Sequence, residues 1–136
     1  MLKIEKQLEL HEGKSKKPYV DTVGKITIGI GRNLTDVGLS EDEIQYLFQN
    51  DLKRVIRGLD HWLPWWREKP ENVRNVLMDM CFNLGIEGLL NFKKFLSAVR
   101  VDNYNDAARE MQDSKWYNQV GNRAKTLVEM ILGDHG

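Results

Sequence analysis

Residues 18–31 read PYVDTVGKITIGIG. Ile26, Ile28 and Ile30 alternate with Thr27, Gly29 and Gly31. Successive side chains of a strand point to opposite sides of the sheet, so a period of two is the mark of a strand that buries one face. Gly24, inside TVGK, supplies the turn, and the segment reads as a β-hairpin with the isoleucine side as its buried face. The other side, Thr-x-Gly-x-Gly, is bare. Such a face packs poorly as a core, but it lets a bulky ligand approach the backbone.

Moving outward from the hairpin, residues 3–12 are short and mixed, with Ile4 and Leu8 on one face; they predict a helix that stops at Gly13. From Ser40 onward the chain is helical. Ser40-Glu41-Asp42-Glu43 is a capping box, in which a serine and a glutamate satisfy each other's orphan amides at a helix start. Ile44, Leu47, Phe48, Val55, Ile56 and Leu59 then keep helical spacing to about residue 59. Pro64 and Pro70 punctuate WLPWWREKP, and Val73, Val76, Leu77, Met80, Cys81 and Leu84 form a regular apolar stripe. Further helices are expected near 89–100, 103–112 and 122–132. The fold class is therefore α+β and a single domain: a small N-terminal hairpin lobe (about 13–39), a connecting helix (about 40–59) and a mostly helical C-terminal lobe (about 60–136, with the N-terminal helix).

Composition narrows the function classes. The 136 residues suffice for one compact domain and are too few for two independent ones. Twenty basic residues balance twenty acidic ones, which argues against nucleic acid as a partner and against bulk attraction to anionic lipid, because such binding scales with the cationic groups presented. Cys81 is the only cysteine, so no intramolecular disulfide forms; at an apolar helix position it reads as a small core residue. A chain without disulfides fits synthesis in a reducing host cytoplasm. The N-terminus, MLKIEKQLELHEGKSKK, has no apolar run that would serve as a signal peptide or insert in a membrane, so a substrate outside the cytoplasm requires delivery by another factor. No metal-ligand spacing, P-loop or dinucleotide fingerprint is found; neither a cofactor nor a metal is expected, and the expected state is a monomer.

Three polar residues surround the hairpin. Glu12 lies at the end of the first helix, Asp21 at the end of the first strand, and Thr27 on the glycine face of the second. Two carboxylates beside an open, glycine-lined surface suit glycoside hydrolysis, where one protonates the leaving oxygen and the other activates water or stabilises a cationic transition state. Spacing alone also allows a plainer reading, a solvated glutamate and a turn-forming aspartate.

The stretch Leu10-His11-Glu12-Gly13, then Pro18-Tyr19-Val20-Asp21-Thr22, Gly24 and Thr27-Ile28-Gly29-Ile30-Gly31, resembles the catalytic signature of the T-even phage lysozymes, glycoside hydrolase family 24. The resemblance continues in Leu47-Phe48-Gln49-Asn50-Asp51, Arg57-Gly58, Met80-Cys81-Phe82-Asn83-Leu84-Gly85, Trp116-Tyr117-Asn118-Gln119 and Asn122-Arg123-Ala124-Lys125. It implies a lysozyme-like fold and a muramidase that cuts the β-1,4 bond between N-acetylmuramic acid and N-acetylglucosamine of bacterial peptidoglycan with inversion, with host cell lysis as the first of three roles, beside action at a phage tail tip and as a bacterial weapon. By position it implies Glu12 as general acid, Asp21 as the group that positions or activates water or stabilises positive charge, and Thr27 as holder of the attacking water. Arg123 would orient Glu12, and Gly31, Asn33, Phe82 and Asn83 would contact substrate. A general acid works best with a raised pKa, whereas a neighbouring guanidinium lowers one, so Arg123 would have to act by geometry or be offset by burial.

The chain also departs from that family. Arg32 stands where the pattern often has a histidine, whose partner aspartate corresponds to Asp51; the expectation is an Arg32–Asp51 ion pair that does not titrate near neutral pH. Residues 33–39, NLTDVGL, are shorter than the corresponding stretch of the long members, which puts a third strand and some sugar contacts in doubt. The chain also ends earlier, at Gly136, and is neutral where relatives are strongly basic. Trp62, Trp65 and Trp66 can stack on sugars, although at a helix boundary closing the core is the favoured reading. Trp116 reads as packing, and His61 and His135 as solvated. Rival readings are a lytic transglycosylase, a non-catalytic wall-binding domain of the same fold, and a helical nucleic-acid-binding module. Retention of Asp21 and Thr27 disfavours the first, the presence of Glu12 the second, and the charge balance the third.

Overall fold

The computed structural model describes residues 2–133, so His135 lies outside the described residues. The chain divides into two compact units, Met1–Leu47 and Phe48–Gly136. Together they give a lysozyme-like α+β chain, with a small antiparallel sheet near the N-terminus and a mostly helical remainder. No helix among the described residues is long and apolar enough to cross a membrane.

The first unit opens with α1 (Lys3–Glu12), as the local pattern predicts. The Leu2 N–H donates to the Glu5 carboxylate at 2.8 Å, satisfying one of the amides that a helix start leaves unpaired. Gly13 ends the helix with a left-handed φ of 78°, its N–H donating to Glu9 O. A three-stranded antiparallel sheet follows in the order β1 (Ser15–Val20), β2 (Ile26–Gly29), β3 (Arg32–Asn33). The third strand, in doubt from the short 33–39 segment, is thus present as two residues. β1 is an edge strand, and its pairing with β2 shifts register between Ser15 and Tyr19, the stretch that holds Pro18.

Burial in β2 centres on Thr27 and not on the expected isoleucine side. Thr27 is only 4% exposed, whereas Ile26 and Ile30 are 49% and 45% exposed. Thr27 lies on the central strand directly between Tyr19 of β1 and Asn33 of β3, and flanking cross-strand side chains cover a central position more completely than an end one. Ile28 and Gly29 are both half-buried, so the strand buries one position, Thr27, and not one whole face.

The loop after β3 is closed by its own side chains. Asn33 Oδ1 accepts the Asp36 N–H at 2.9 Å, Thr35 Oγ1 accepts the Ile26 N–H at 2.9 Å, and Lys25 pairs with Asp36 at 3.3 Å. The capping box then starts α2 (Glu41–Trp62): Ser40 N–H donates to Glu43 Oε1 at 2.8 Å and Glu43 N–H to Ser40 Oγ at 3.2 Å.

The second unit holds the core. α3 (Glu71–Leu90) begins after Pro70 and buries Val73, Val76, Leu77, Met80 and Cys81. A break at Gly85 (φ 76°, ψ 162°) divides it. The core is completed by Val55 and Leu59 of α2, by α4 (Lys93–Arg100), α5 (Tyr104–Gln112) and α6 (Lys115–Val120), and by α7 (Asn122–Leu132). The single expected helix over 89–100 is in fact the end of α3 and, after a break, α4. Cys81 is a core residue, 3% exposed, and burial pushes its thiol pKa up. The tryptophans separate: Trp66 is buried, Trp65 half-buried and Trp62 57% exposed, so the core-closing expectation fails for Trp62. Trp66 sits on a 3-10 turn, Pro64–Glu68, where its indole N–H donates to Asp60 Oδ1 at 2.8 Å and Arg67 grips the same carboxylate with two bonds. These bonds, Arg67 first, hold Asp60 down at about 2.

Candidate active site

Three short elements of the first unit present the hairpin constellation. Glu12 is the last residue of α1, exposed to solvent, and within this unit its carboxylate accepts no hydrogen bond from a described residue. Its position is nevertheless defined. A Cβ on Gly31 would stand 2.8 Å from Glu12 Oε2 and 2.9 Å from its Cδ, so the carboxyl rests directly on the Gly31 backbone. With φ at +75° as well, Gly31 is a place where the chain must pass close to a functional group in a conformation side chains disfavour. Gly31, expected as a substrate contact, is thus the seat of Glu12.

Asp21 and Thr27 meet at the peptide of Lys25. Asp21 Oδ1 accepts the N–H groups of Val23 (3.0 Å) and Lys25 (2.8 Å), closing the turn between β1 and β2. Thr27 Oγ1 donates to Lys25 O at 3.1 Å. Asp21 is thus a turn former by one oxygen, while its Oδ2 takes no hydrogen bond among the described residues. Thr27, having given its proton away, can offer a further partner only its lone pairs. Asn33 spends its amide on Asp36, Oδ1 accepting the backbone N–H and Nδ2 donating to Oδ2 at 3.0 Å.

Arg32 and Asp51, the two members of the expected ion pair, each have a described partner within their own unit. Arg32 Nη1 donates to Glu43 Oε1 at 2.6 Å and to Gly38 O at 3.2 Å, while Asp51 takes Arg54, one helical turn on, at 3.0 Å. The reason is local. Glu43 is the capping-box glutamate, so its carboxylate is already turned back toward the loop that leads from Arg32. The guanidinium bond, with the Ser40 N–H second, holds Glu43 well down, at about 2, and raises Arg32. Glu43 was not among the expected site residues, although its place in Ser-x-x-Glu was the available signal.

In the second unit, Arg123 Nε donates to Asp79 Oδ1 at 2.7 Å and Nη2 to Asp79 O at 3.3 Å; Asp79 is the described partner of the arginine expected to orient Glu12. Arg123, Asp79 and Phe82 line one hollow of about 400 Å³ with Phe48, Leu52 and Met78. Phe82 is 41% exposed and meets Phe48 edge-on at 5.9 Å. Asn83 Oδ1 accepts the Trp116 indole N–H at 2.9 Å, so the buried tryptophan fixes the orientation of an exposed amide. Asp79 and the Trp116 bond lie 44 and 33 residues from their partners, beyond any spacing signal.

The family model described as phage lysozyme matches residues 9–130. Probable T4-type lysozyme 1 of Dictyostelium discoideum is 27% identical over 94% of this chain and 92% of its own length. Probable T4-type lysozyme 2 of the same organism is 23% identical with the same coverage. The pre-baseplate central spike protein Gp5 of Enterobacteria phage T4 is 26% identical over 96% of this chain, which spans 28% of that longer protein. The matched region takes in Glu12, Asp21, Thr27, Gly31 and Arg123 in a single run.

Proposed function

The chain belongs to the phage lysozyme family, and on that premise we propose that it is a muramidase that hydrolyses the β-1,4 bond between N-acetylmuramic acid and N-acetylglucosamine in bacterial peptidoglycan with inversion. The observation that carries this reading is the seating of an exposed Glu12 carboxyl against the Gly31 backbone, inside the matched segment. The acid is open to a polymer and yet located.

In the proposed reaction Glu12 gives its proton to the glycosidic oxygen as the C1–O bond breaks. A water approaches C1 from the opposite face, donating one hydrogen bond to the Asp21 oxygen that the turn leaves free and one to Thr27 Oγ1. Asp21 takes the water's proton as the new C1–O bond forms, and the hemiacetal leaves with inverted configuration. Because Thr27 is 4% exposed, it acts from beneath the water. Asn83, oriented by Trp116, and the exposed edge of Phe82 suit the polar and apolar sides of a sugar. On the family match we assign Arg123 a supporting role in the reaction, with Asp79 as its counter-ion. The wall lies outside the cell that makes the protein, so we also propose that another factor delivers it; the relative named as a spike protein fits such a scheme. Host cell lysis is the role we favour.

The test is clearing of permeabilised bacteria by wild type and Glu12→Gln. The amide cannot donate a proton, and loss of general-acid help lowers the rate on the order of a hundredfold or more, with the far-UV spectrum unchanged. Product analysis separates the neighbouring reading: hydrolysis leaves a reducing end of α configuration, whereas a transglycosylase leaves an anhydro sugar.

A further inference from the structure

We propose that Arg32 and Glu43 are positioning residues for Glu12: their ion pair fixes the backbone at Gly31, and Gly31 is the surface on which the Glu12 carboxyl rests. The inference rests on the muramidase reading given above. The path of contacts is short. Glu12 Oε2 lies 2.8 Å from where a Gly31 Cβ would stand, with no side chain between carboxyl and backbone. One residue on, Arg32 Nη1 donates to both Glu43 Oε1 (2.6 Å) and Gly38 O (3.2 Å). The same Glu43 oxygen accepts the Ser40 N–H at 2.8 Å, so the far end of the pair is anchored on the start of α2. Before Gly31, Gly29 closes β2; after it, Arg32 faces Ile28 across the β2–β3 ladder. A glycine has little intrinsic preference for any one backbone conformation, so the seat has to be imposed by its neighbours. Arg32 is the adjoining residue whose side chain reaches a fixed point.

The scale of the effect follows from how sensitive reactions are to placement: moving a reacting group by about 1 Å costs on the order of a hundredfold. Two variants separate positioning from mere stability. Arg32→Met removes the ion pair and leaves the Ser40–Glu43 box; Ser40→Ala removes one capping bond and leaves the ion pair. Both lower Tm. Cleavage of soluble peptidoglycan fragments is then measured at a temperature where both are folded. Arg32→Met is expected to lower kcat by on the order of ten- to a hundredfold with KM close to wild type, and Ser40→Ala to keep the wild-type kcat. Arg32→Lys is expected to recover part of the loss, since one ammonium can serve the two oxygens that Nη1 now serves.

Glu12→Gln, assayed alongside, keeps the two claims apart. An inactive Glu12→Gln with a wild-type kcat for folded Arg32→Met overturns the positioning role and leaves the muramidase reading in place. A fully active Glu12→Gln overturns that reading and the positioning role with it. Should Arg32→Met fail to fold, Glu43→Leu replaces it, because leucine offers Arg32 no acceptor; an unchanged kcat there overturns the proposal equally.

Discussion

Asp21 is a turn former by one oxygen, and the proposed reaction places its base on the other. Its Oδ1 closes the turn through Val23 and Lys25, and its Oδ2 is the oxygen that the proposed reaction uses, so substitutions can separate the roles. Asp21→Asn keeps an oxygen acceptor for the turn and loses the charge; it is expected to retain most of its Tm and to lose wall lysis. Asp21→Ala loses both, with an added destabilisation of about 1–3 kcal/mol from two unpaired backbone amides, read by thermal unfolding. Gly31 and Gly29 form a second matched pair. Both have a left-handed φ, 75° and 68°, but only at Gly31 would a Cβ meet Glu12. Alanine at either position is expected to cost about 1–3 kcal/mol in backbone strain. Activity per folded molecule should collapse only for Gly31→Ala, and equal activities in the two variants would contradict the seat assigned to Glu12.

At the scale of elements, the start of α2 makes a prediction in acid. Glu43 sits at about 2 because Arg32, then the Ser40 amide, bind its charged form. A carboxyl whose folded value is depressed contributes stability that is fully present above its unfolded value near 4.5 and is lost as pH falls toward 2. Wild type is therefore expected to lose Tm across that window more steeply than Arg32→Met, and the two curves should run parallel from pH 5 to 8. Both partners are partly exposed, so added salt should shrink the difference. The same elements show what one sequence discloses. α1 and the capping box were legible because their signals are local: a glycine stop and a Ser-x-x-Glu within one turn. The buried position of β2 was misread because burial in a three-stranded sheet depends on which cross-strand neighbours flank a residue, and alternation is silent about that. α6, six residues long, is too short to display a helical period. Glu12, Asp21, Thr27 and Gly31 came from an ordered motif. The partners of Arg32 and Arg123 did not, because a charge in sequence carries no distance.

At the scale of the whole molecule, the balance of twenty cationic and twenty anionic residues bears on how the protein meets its wall. With no net charge, long-range attraction to an anionic polymer is small, and recognition must come from close contacts that salt screens poorly. The rate of wall clearing is expected to change little between low and physiological ionic strength; a steep fall would instead reveal a basic patch acting alone. The edge strand β1 has a consequence of another kind. A free strand edge is an invitation to a second copy to add its own strand, and from there to endless stacking. β1 carries Lys16, Lys17 and Pro18 in a row and bends where its register slips, so an arriving strand would meet two charges, a missing N–H donor and a misaligned ladder. The small sheet that helps to hold the candidate acid is thereby expected to be a poor seed for fibrils.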